Sequence, residues 1–401
     1  MKKSIKNNVY WVGKNDWEIR NYQAYEYSTH RGSSYNSFLI QEEKTVLIDT
    51  VLRPFSAEFI KNLAREIDLL SIDFIVCTHS EPDHSGALPD LMNIIPNTPI
   101  YCTENGKKAI KGNYHQDWNF KIVKNGEKIS IGNGKELIFY EVPMLYWPDT
   151  MFCYLTKDNI LFSNDVFGQH FSSELLFNDL VDQHELYSEA IKYYANILIP
   201  FSKVITKRLD DFLKKDLPID LICPSHGIIW RDNPLQIVTK YLMWGDNYYE
   251  NQVTIIYDTM YSGTYTIAQS IARGINSADS RVNIKLFNAS KNDRNDMITQ
   301  VFRSKGVLFG SPCLNQGILP SISGFLDMIK GLRFTNKKTA AFGCYGWKDT
   351  SIKIIETKLK DAGFDIMMEP ISFNWFLTDE ALDASVNYGW LFWDLLSRTD
   401  S

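Results

Sequence analysis

The sequence predicts an α/β chain in two domains: a strand-rich first half with interspersed helices, then a parallel sheet covered by helices on both faces. Three observations carry this. At 401 residues the chain is long for one domain and natural for two. Its first half is dominated by short apolar runs separated by turn signals such as Gly132-Asn133-Gly134. From about Gln252 the pattern changes to strict strand–helix alternation.

The elements follow in order. Ser37–Ile40 and Thr45–Asp49 read as a hairpin across Gln41–Lys44. Phe59, Ile60, Leu63 and Ile67 give helical spacing to the stretch from Phe55 to Leu70. The apolar run Phe74–Cys77 is a buried strand, and Leu88, Leu91, Met92 and Ile95 mark a helix after it. Short strands are expected at 100–102, 120–123, 128–131, 137–142, 151–155 and 160–163. Tyr187, Ile191, Tyr194 and Leu198 line one helix face, and Val204, Leu209, Phe212 and Leu213 another. A strand at Leu221–Cys223 closes the half. Strands at 253–257, 282–287, 306–310, 339–342 and, more weakly, 364–368 make up the second half, with the boundary near Trp244–Gln252.

Composition removes several function classes. Net charge is -6, which argues against a nucleic-acid partner. No apolar run approaches the ~20 residues that span a bilayer, and Met1–Lys6 has basic residues without an apolar core behind them, so a cytoplasmic protein is expected. The six cysteines, Cys77, Cys102, Cys153, Cys223, Cys313 and Cys344, form no CxxC pair, which leaves neither a zinc ribbon nor a rubredoxin-type iron site.

The chemistry concentrates in His79-Ser80-Glu81-Pro82-Asp83-His84, just past a strand. Two imidazoles and two carboxylates in six residues can hardly all face one ion. Alternate side chains of an extended loop point to opposite sides, so His79/Glu81 and Asp83/His84 suit two neighbouring metals. Asp165 follows the strand 160–163 and His226 the strand 221–223, the same context as His79. One sheet edge can therefore collect His79, Glu81, Asp83, His84, Asp165 and His226, with Asp165 bridging two ions roughly 3.5–4 Å apart.

Three loops of the second half share the carboxyl ends of strands. Thr259, Met260, Tyr261, Ser262, Gly263 and Thr264 precede a helix and make a hydroxyl-lined anion site. It carries no GxxxxGK[ST] and no GxGxxG, so neither a triphosphate nor a dinucleotide loop is present. Ser311-Pro312-Cys313-Leu314-Asn315-Gln316-Gly317 and Gly343-Cys344-Tyr345-Gly346-Trp347 follow the third and fourth strands, where such sheets bind ligands.

The strand-end pattern resembles the metallo-β-lactamase superfamily, whose motif is usually HxHxDH. Here Glu81 stands at the middle His, a change that resembles the flavodiiron proteins, also called A-type flavoproteins. The second half resembles flavodoxin. Segments Arg31-Gly32-Ser33-Ser34-Tyr35-Asn36 and His226-Gly227-Ile228-Ile229-Trp230-Arg231-Asp232 fit the flavorubredoxin group of that family. The resemblance implies a metallo-β-lactamase-like αββα sandwich over 1–249 and a flavodoxin-like doubly wound sheet over 252–401. It implies one iron on His79, Glu81 and Asp165 and a second on Asp83, His84, Asp165 and His226. FMN phosphate would fall to Thr259–Thr264, and the isoalloxazine to the 311–317 and 343–347 loops.

A carboxylate in place of an imidazole hardens the site towards iron or manganese. The implied activity is reduction of nitric oxide to N2O, of dioxygen to water, or both. Electrons would come from a separate donor such as rubredoxin, in a head-to-tail homodimer or dimer of dimers. One position departs from the family: Tyr146 stands where a His ligand is usual, and because a phenol is far from ionised at neutral pH it is expected not to bind. His170 and His184 are expected to be structural or to support the ligands. Two rivals stay open at this level: a bimetal hydrolase fused to a flavodoxin-like half, and an electron carrier whose metal site Tyr146 impairs.

Overall fold

The computed structural model describes residues 2–22, 26–335 and 337–398. Contacts divide these into two units. One runs up to Tyr194 and resumes over Phe201–Gly245; the other joins Ala195–Pro200 to the chain from Asp246 onward.

The first unit is built on two sheets. In one the order is Lys3–Lys6, Val9–Trp11, Phe38–Gln41, Thr45–Ile48, Ile72–Val76, Ile100–Cys102, Phe120–Ile122. Its first four strands pair antiparallel and the rest parallel. The other sheet runs Lys128–Gly132, Lys135–Glu141, Met151–Leu155, Ile160–Asn164, Leu221–Pro224, with only the last pair parallel.

Strand alternation explains how they stack. Phe38, Ile40, Val46, Ile48, Phe74 and Val76 of the first sheet share a core with Phe139, Met151, Cys153, Phe162 and Cys223 of the second. The opposite set, Leu39, Leu47 and Ile75, packs under Phe59 and Leu63 of the helix Ser56–Glu66 and Leu88, Leu91 and Met92 of the helix Leu88–Ile94. On the far side of the second sheet, Tyr140 and Phe152 meet Phe212 of the helix Ser202–Leu213 edge to face, at 5.4 and 5.3 Å. The result is the αββα sandwich that the resemblance implied.

The second unit is a parallel sheet in the order Asn283–Asn288, Glu250–Tyr257, Ser304–Pro312, Lys338–Tyr345, Asp365–Ile366. In chain order this is 2-1-3-4-5, which puts the switch point between the first and third strands. The helices Gly263–Ala278 and Asp379–Ser397 cover one face through Ile267, Ile271, Tyr388, Phe392 and Leu396. They touch backbone to backbone because Gly274 and Gly389 lack side chains: a Cβ on Gly274 would lie 1.9 Å from Val386 O, and one on Gly389 2.0 Å from Ile271 O.

Three expectations change. The 79–84 stretch is extended only as far as Glu81; Pro82–Ser85 is a short helical turn, because proline's fixed φ and missing N–H suit the first helical position. The helix expected through Leu198 is regular only over Gln183–Tyr193, then widens into a π-turn at Tyr194–Leu198 ahead of Pro200, whose ring disfavours helix before it. The weak fifth strand shrinks to Asp365–Ile366, and Ile371–Asn374 takes over pairing with the fourth.

Candidate metal and flavin sites

His79, Asp165 and His226 each follow the carboxyl end of a strand, and side chains stitch those ends together. Asn164 Nδ2 donates to Thr78 Oγ1 at 3.0 Å, Ser225 N to Asn164 O at 2.9 Å, and Asn36 Nδ2 to Pro224 O at 2.8 Å. Asp49, buried beside them, accepts from Thr78 N at 2.7 Å and from Thr78 Oγ1 at 2.5 Å.

The six expected ligand residues converge there. Asp165 presents one oxygen to each side. Its Oδ2 lies 3.7 Å from His79 Nε2, which is 3.3 Å from Glu81 Oε2. Its Oδ1 lies 3.1 Å from His84 Nε2 and 3.5 Å from His226 Nε2. Asp83 Oδ2 closes that second group, 3.4 Å from His84 Nε2 and 3.1 Å from His226 Nε2.

Both oxygens of Asp165, Oδ1 of Asp83 and Nε2 of His84 are buried without a hydrogen-bond partner among the described residues. Buried polar atoms are rarely left so. Donor atoms this close but misaligned for bonding to one another are aimed at common points, and two such points lie either side of Asp165. The donor set of three imidazoles and three carboxylates fits a pair of iron ions.

Electrostatics point the same way. Burial lowers the pKa of His79, but hydrogen bonds to Asp149 and Glu81 and the Asp165 charge outweigh it, and the pKa stands well above the ordinary imidazole value. Burial likewise lowers the pKa of His84, but the charges of Asp83 and Asp165 outweigh it and raise it to about 9. Burial raises Asp165, yet the neighbouring histidines hold it below the usual carboxylate range. Without a metal these carboxylates favour the protonated forms of His79 and His84, as a site built for positive charge does.

The supports were not legible as ligand chemistry. His79 Nδ1 donates to Asp149 Oδ1 at 3.1 Å and Oδ2 at 3.2 Å, and Ser80 N donates to Asp149 Oδ2 at 2.8 Å. His226 Nδ1 donates to Ser34 O at 2.7 Å. Each bond fixes the tautomer that leaves Nε2 free to bind a metal. Tyr22 Oη donates a short hydrogen bond to Asp83 Oδ2. His170 is buried, stacks on Tyr22 at 4.5 Å and bonds Ser33 Oγ at 2.7 Å through Nδ1, so it supports the ligands. His184 is exposed. Tyr146 is half-buried, and its ring lies edge-on to His79 with centroids 6.4 Å apart.

In the second unit the expected loops gather at the carboxyl end of the sheet. Ser262 adopts a left-handed conformation, φ 65°, and starts the helix Gly263–Ala278. Thr259 Oγ1 is buried with no hydrogen-bond partner among the described residues, a hydroxyl suited to an anionic oxygen. Thr264 Oγ1 and Cys344 Sγ are 3.2 Å apart, which ties this loop to the 343–347 loop. Cys313 N donates to Cys344 O at 2.9 Å and joins the 311–317 loop to both.

Trp347 is 89% exposed, as befits a cover for a flat ring rather than a core aromatic. Sequence reading missed Trp375, 65% exposed, whose N donates to Tyr345 O at 2.9 Å. The aromatic run Phe373-Asn374-Trp375-Phe376 was the available signal. These neutral donors, the helix N-terminus and the exposed aromatics fit FMN.

Comparisons with known proteins agree with both halves. Residues 34–227 match the model of the ODP family beta lactamase, and residues 255–388 that of flavodoxin. The anaerobic nitric oxide reductase flavorubredoxin of Klebsiella pneumoniae is 51% identical over 386 residues, covering 96% of this chain and 80% of that protein. The rubredoxin:oxygen oxidoreductase from Desulfovibrio gigas superposes with a TM-score of 0.96 at 31% identity, over the whole of both chains. The flavodiiron protein from Giardia intestinalis superposes with a TM-score of 0.94 at 31% identity, over 99% of this chain and 97% of that one.

Proposed function

The chain belongs to the flavodiiron family, and from that premise we propose that it reduces nitric oxide to N2O, dioxygen to water, or both. It is an oxidoreductase dependent on FMN and a non-haem diiron centre. In this reading residues 1–249 hold the metals and 252–401 the flavin. Electrons arrive from a rubredoxin-type donor, the chain works as a head-to-tail homodimer or dimer of dimers, and its setting is the cytoplasm. Six free cysteines support a reducing compartment, and no helix among the described residues is long and apolar enough to cross a membrane.

The observation that carries the reading is the split Asp165 carboxylate, one oxygen facing His79 and the other facing His84 and His226. When bound, the iron pair and FMN supply the substrate's binding positions and two electrons each. Two electrons and two protons convert two NO to N2O and water; four of each convert O2 to two waters.

The chain's own residues set the conditions. Glu81, Asp83 and Asp165 give the centre an anionic shell that favours oxidised iron over zinc hydrolysis. Asp149 and Ser34 orient His79 and His226. Tyr22 donates its hydrogen bond to Asp83 Oδ2, and every ligand but the partly exposed Glu81 is buried. Thr259 and the backbone N–H groups at the start of the Gly263–Ala278 helix bind the flavin phosphate.

The test is anaerobic reduction with dithionite, followed by separate pulses of NO and O2 while flavin absorbance is followed. Rapid reoxidation by at least one gas, lost in a metal-depleted sample, is expected. Reoxidation that is indifferent to the metals would contradict the reading and favour a simple electron carrier.

A further inference from the structure

We infer that the two metal positions are held unequally: the ion among Asp83, His84, Asp165 and His226 is retained, while the ion at His79, Glu81 and Asp165 exchanges readily. The inference rests on the bimetal reading of this site and goes beyond it.

The donor atoms divide unevenly around Asp165. On the Oδ1 side stand His84 Nε2, His226 Nε2 and Asp83 Oδ2, so four protein atoms meet there. On the Oδ2 side, among the described residues, His79 Nε2 lies 3.7 Å from Asp165 Oδ2 and 3.3 Å from Glu81 Oε2, three donor atoms linked through the one imidazole. Solvent access is uneven in the same sense. The side chains of Asp83, His84 and His226 are 6%, 2% and 2% exposed; on the other side His79 is 0% exposed and Glu81 alone reaches 13%. A poorer donor set with one ligand nearer water releases its ion first.

Two aromatic rings pack against His79 on the three-donor side. Tyr146 and Trp147 lie edge-on to His79, with centroids 6.4 and 5.3 Å away at 71° and 64°. Tyr146 sits at φ 86°, in a tight turn where Met144 N donates to Trp147 O at 2.8 Å. Trp147 and Phe201 each hold its ring edge-on at 6.3 Å. Tyr146 therefore stands as a wall against the His79 ring, and an imidazole at that position would add a donor on this side.

The experiment dialyses iron-loaded protein against a chelator and follows metal content by elemental analysis. The wild type is expected to fall from about two irons per chain to about one and to hold there. Tyr146→His is expected to keep about two through the same dialysis, and Tyr146→Phe to behave as the wild type. Loss of both ions in step, or retention of both by the wild type, would overturn the inference. So would a visible phenolate-to-iron absorption band in the wild type that Tyr146→Phe abolishes. Protein that takes up no iron on reconstitution contradicts the bimetal reading itself, an outcome distinct from two equivalent sites.

Discussion

Asp149 and His79 form the pair on which the three-donor side depends: Asp149 accepts hydrogen bonds from His79 Nδ1 at 3.1 Å and from Ser80 N at 2.8 Å with one carboxylate. Ring and loop are thereby fixed together, and Nε2 is turned towards Asp165. Burial raises the Asp149 carboxyl, but the bond and charge of His79 bring it down to about 2. Asp149→Asn keeps the shape and loses the charge. Metal affinity at the His79 side is expected to fall about 10–100-fold, as measured by chelator competition, with the flavin content unchanged.

The metal-depleted protein should lose stability as pH rises. His84 has a folded-state pKa of about 9, above the ordinary value of 6.5. Its contribution is therefore fully present below about pH 6.5 and lost as pH climbs through about 9. Thermal unfolding of the metal-depleted protein is expected to fall by roughly 5 °C between pH 6 and 9.5. In the metal-loaded protein the trend should flatten, because the ion replaces the proton.

Gly227→Ala is expected to be strongly destabilising. Gly227 has φ 75°, and a Cβ there would lie 1.8 Å from Gln169 Oε1 and 2.3 Å from Gln169 O. Gln169 Oε1 accepts from Ile228 N at 2.6 Å, and Gly227 N donates to Ser34 Oγ at 2.7 Å. The substitution strains the turn that carries His226 and should cost about 2–4 kcal/mol in denaturant unfolding.

Thr259→Val removes the buried hydroxyl without changing the side chain's size much. FMN affinity is expected to drop about 10-fold, from the loss of one hydrogen bond to an anionic group. Quenching of flavin fluorescence on titration measures it, and iron content should stay as in the wild type.

The framework was legible because it is chemically dense. Apolar runs ahead of His79, Asp165 and His226 announce strands, and metal-competent residues just past each run announce one loaded edge. The supports were hidden because each is a lone polar residue acting across long chain separations. Tyr22 lies 61 residues from Asp83, and Ser34 lies 192 from His226. The helix Glu104–Tyr114 escaped notice because only Gly106 and Ile110 of it are buried, too few for an apolar stripe. Its one local signal was Thr103, whose hydroxyl accepts from Gly106 N at 3.0 Å. The strand Ile371–Asn374 is nowhere fully buried and so shows little pattern.

The most direct measurement is anomalous diffraction at the iron edge from crystals of iron-loaded protein. The account predicts two peaks per chain, roughly 3.5–4 Å apart, each beside a different oxygen of Asp165 and the one near His79 weaker. A single peak, or a pair that leaves one Asp165 oxygen without an ion, would contradict it.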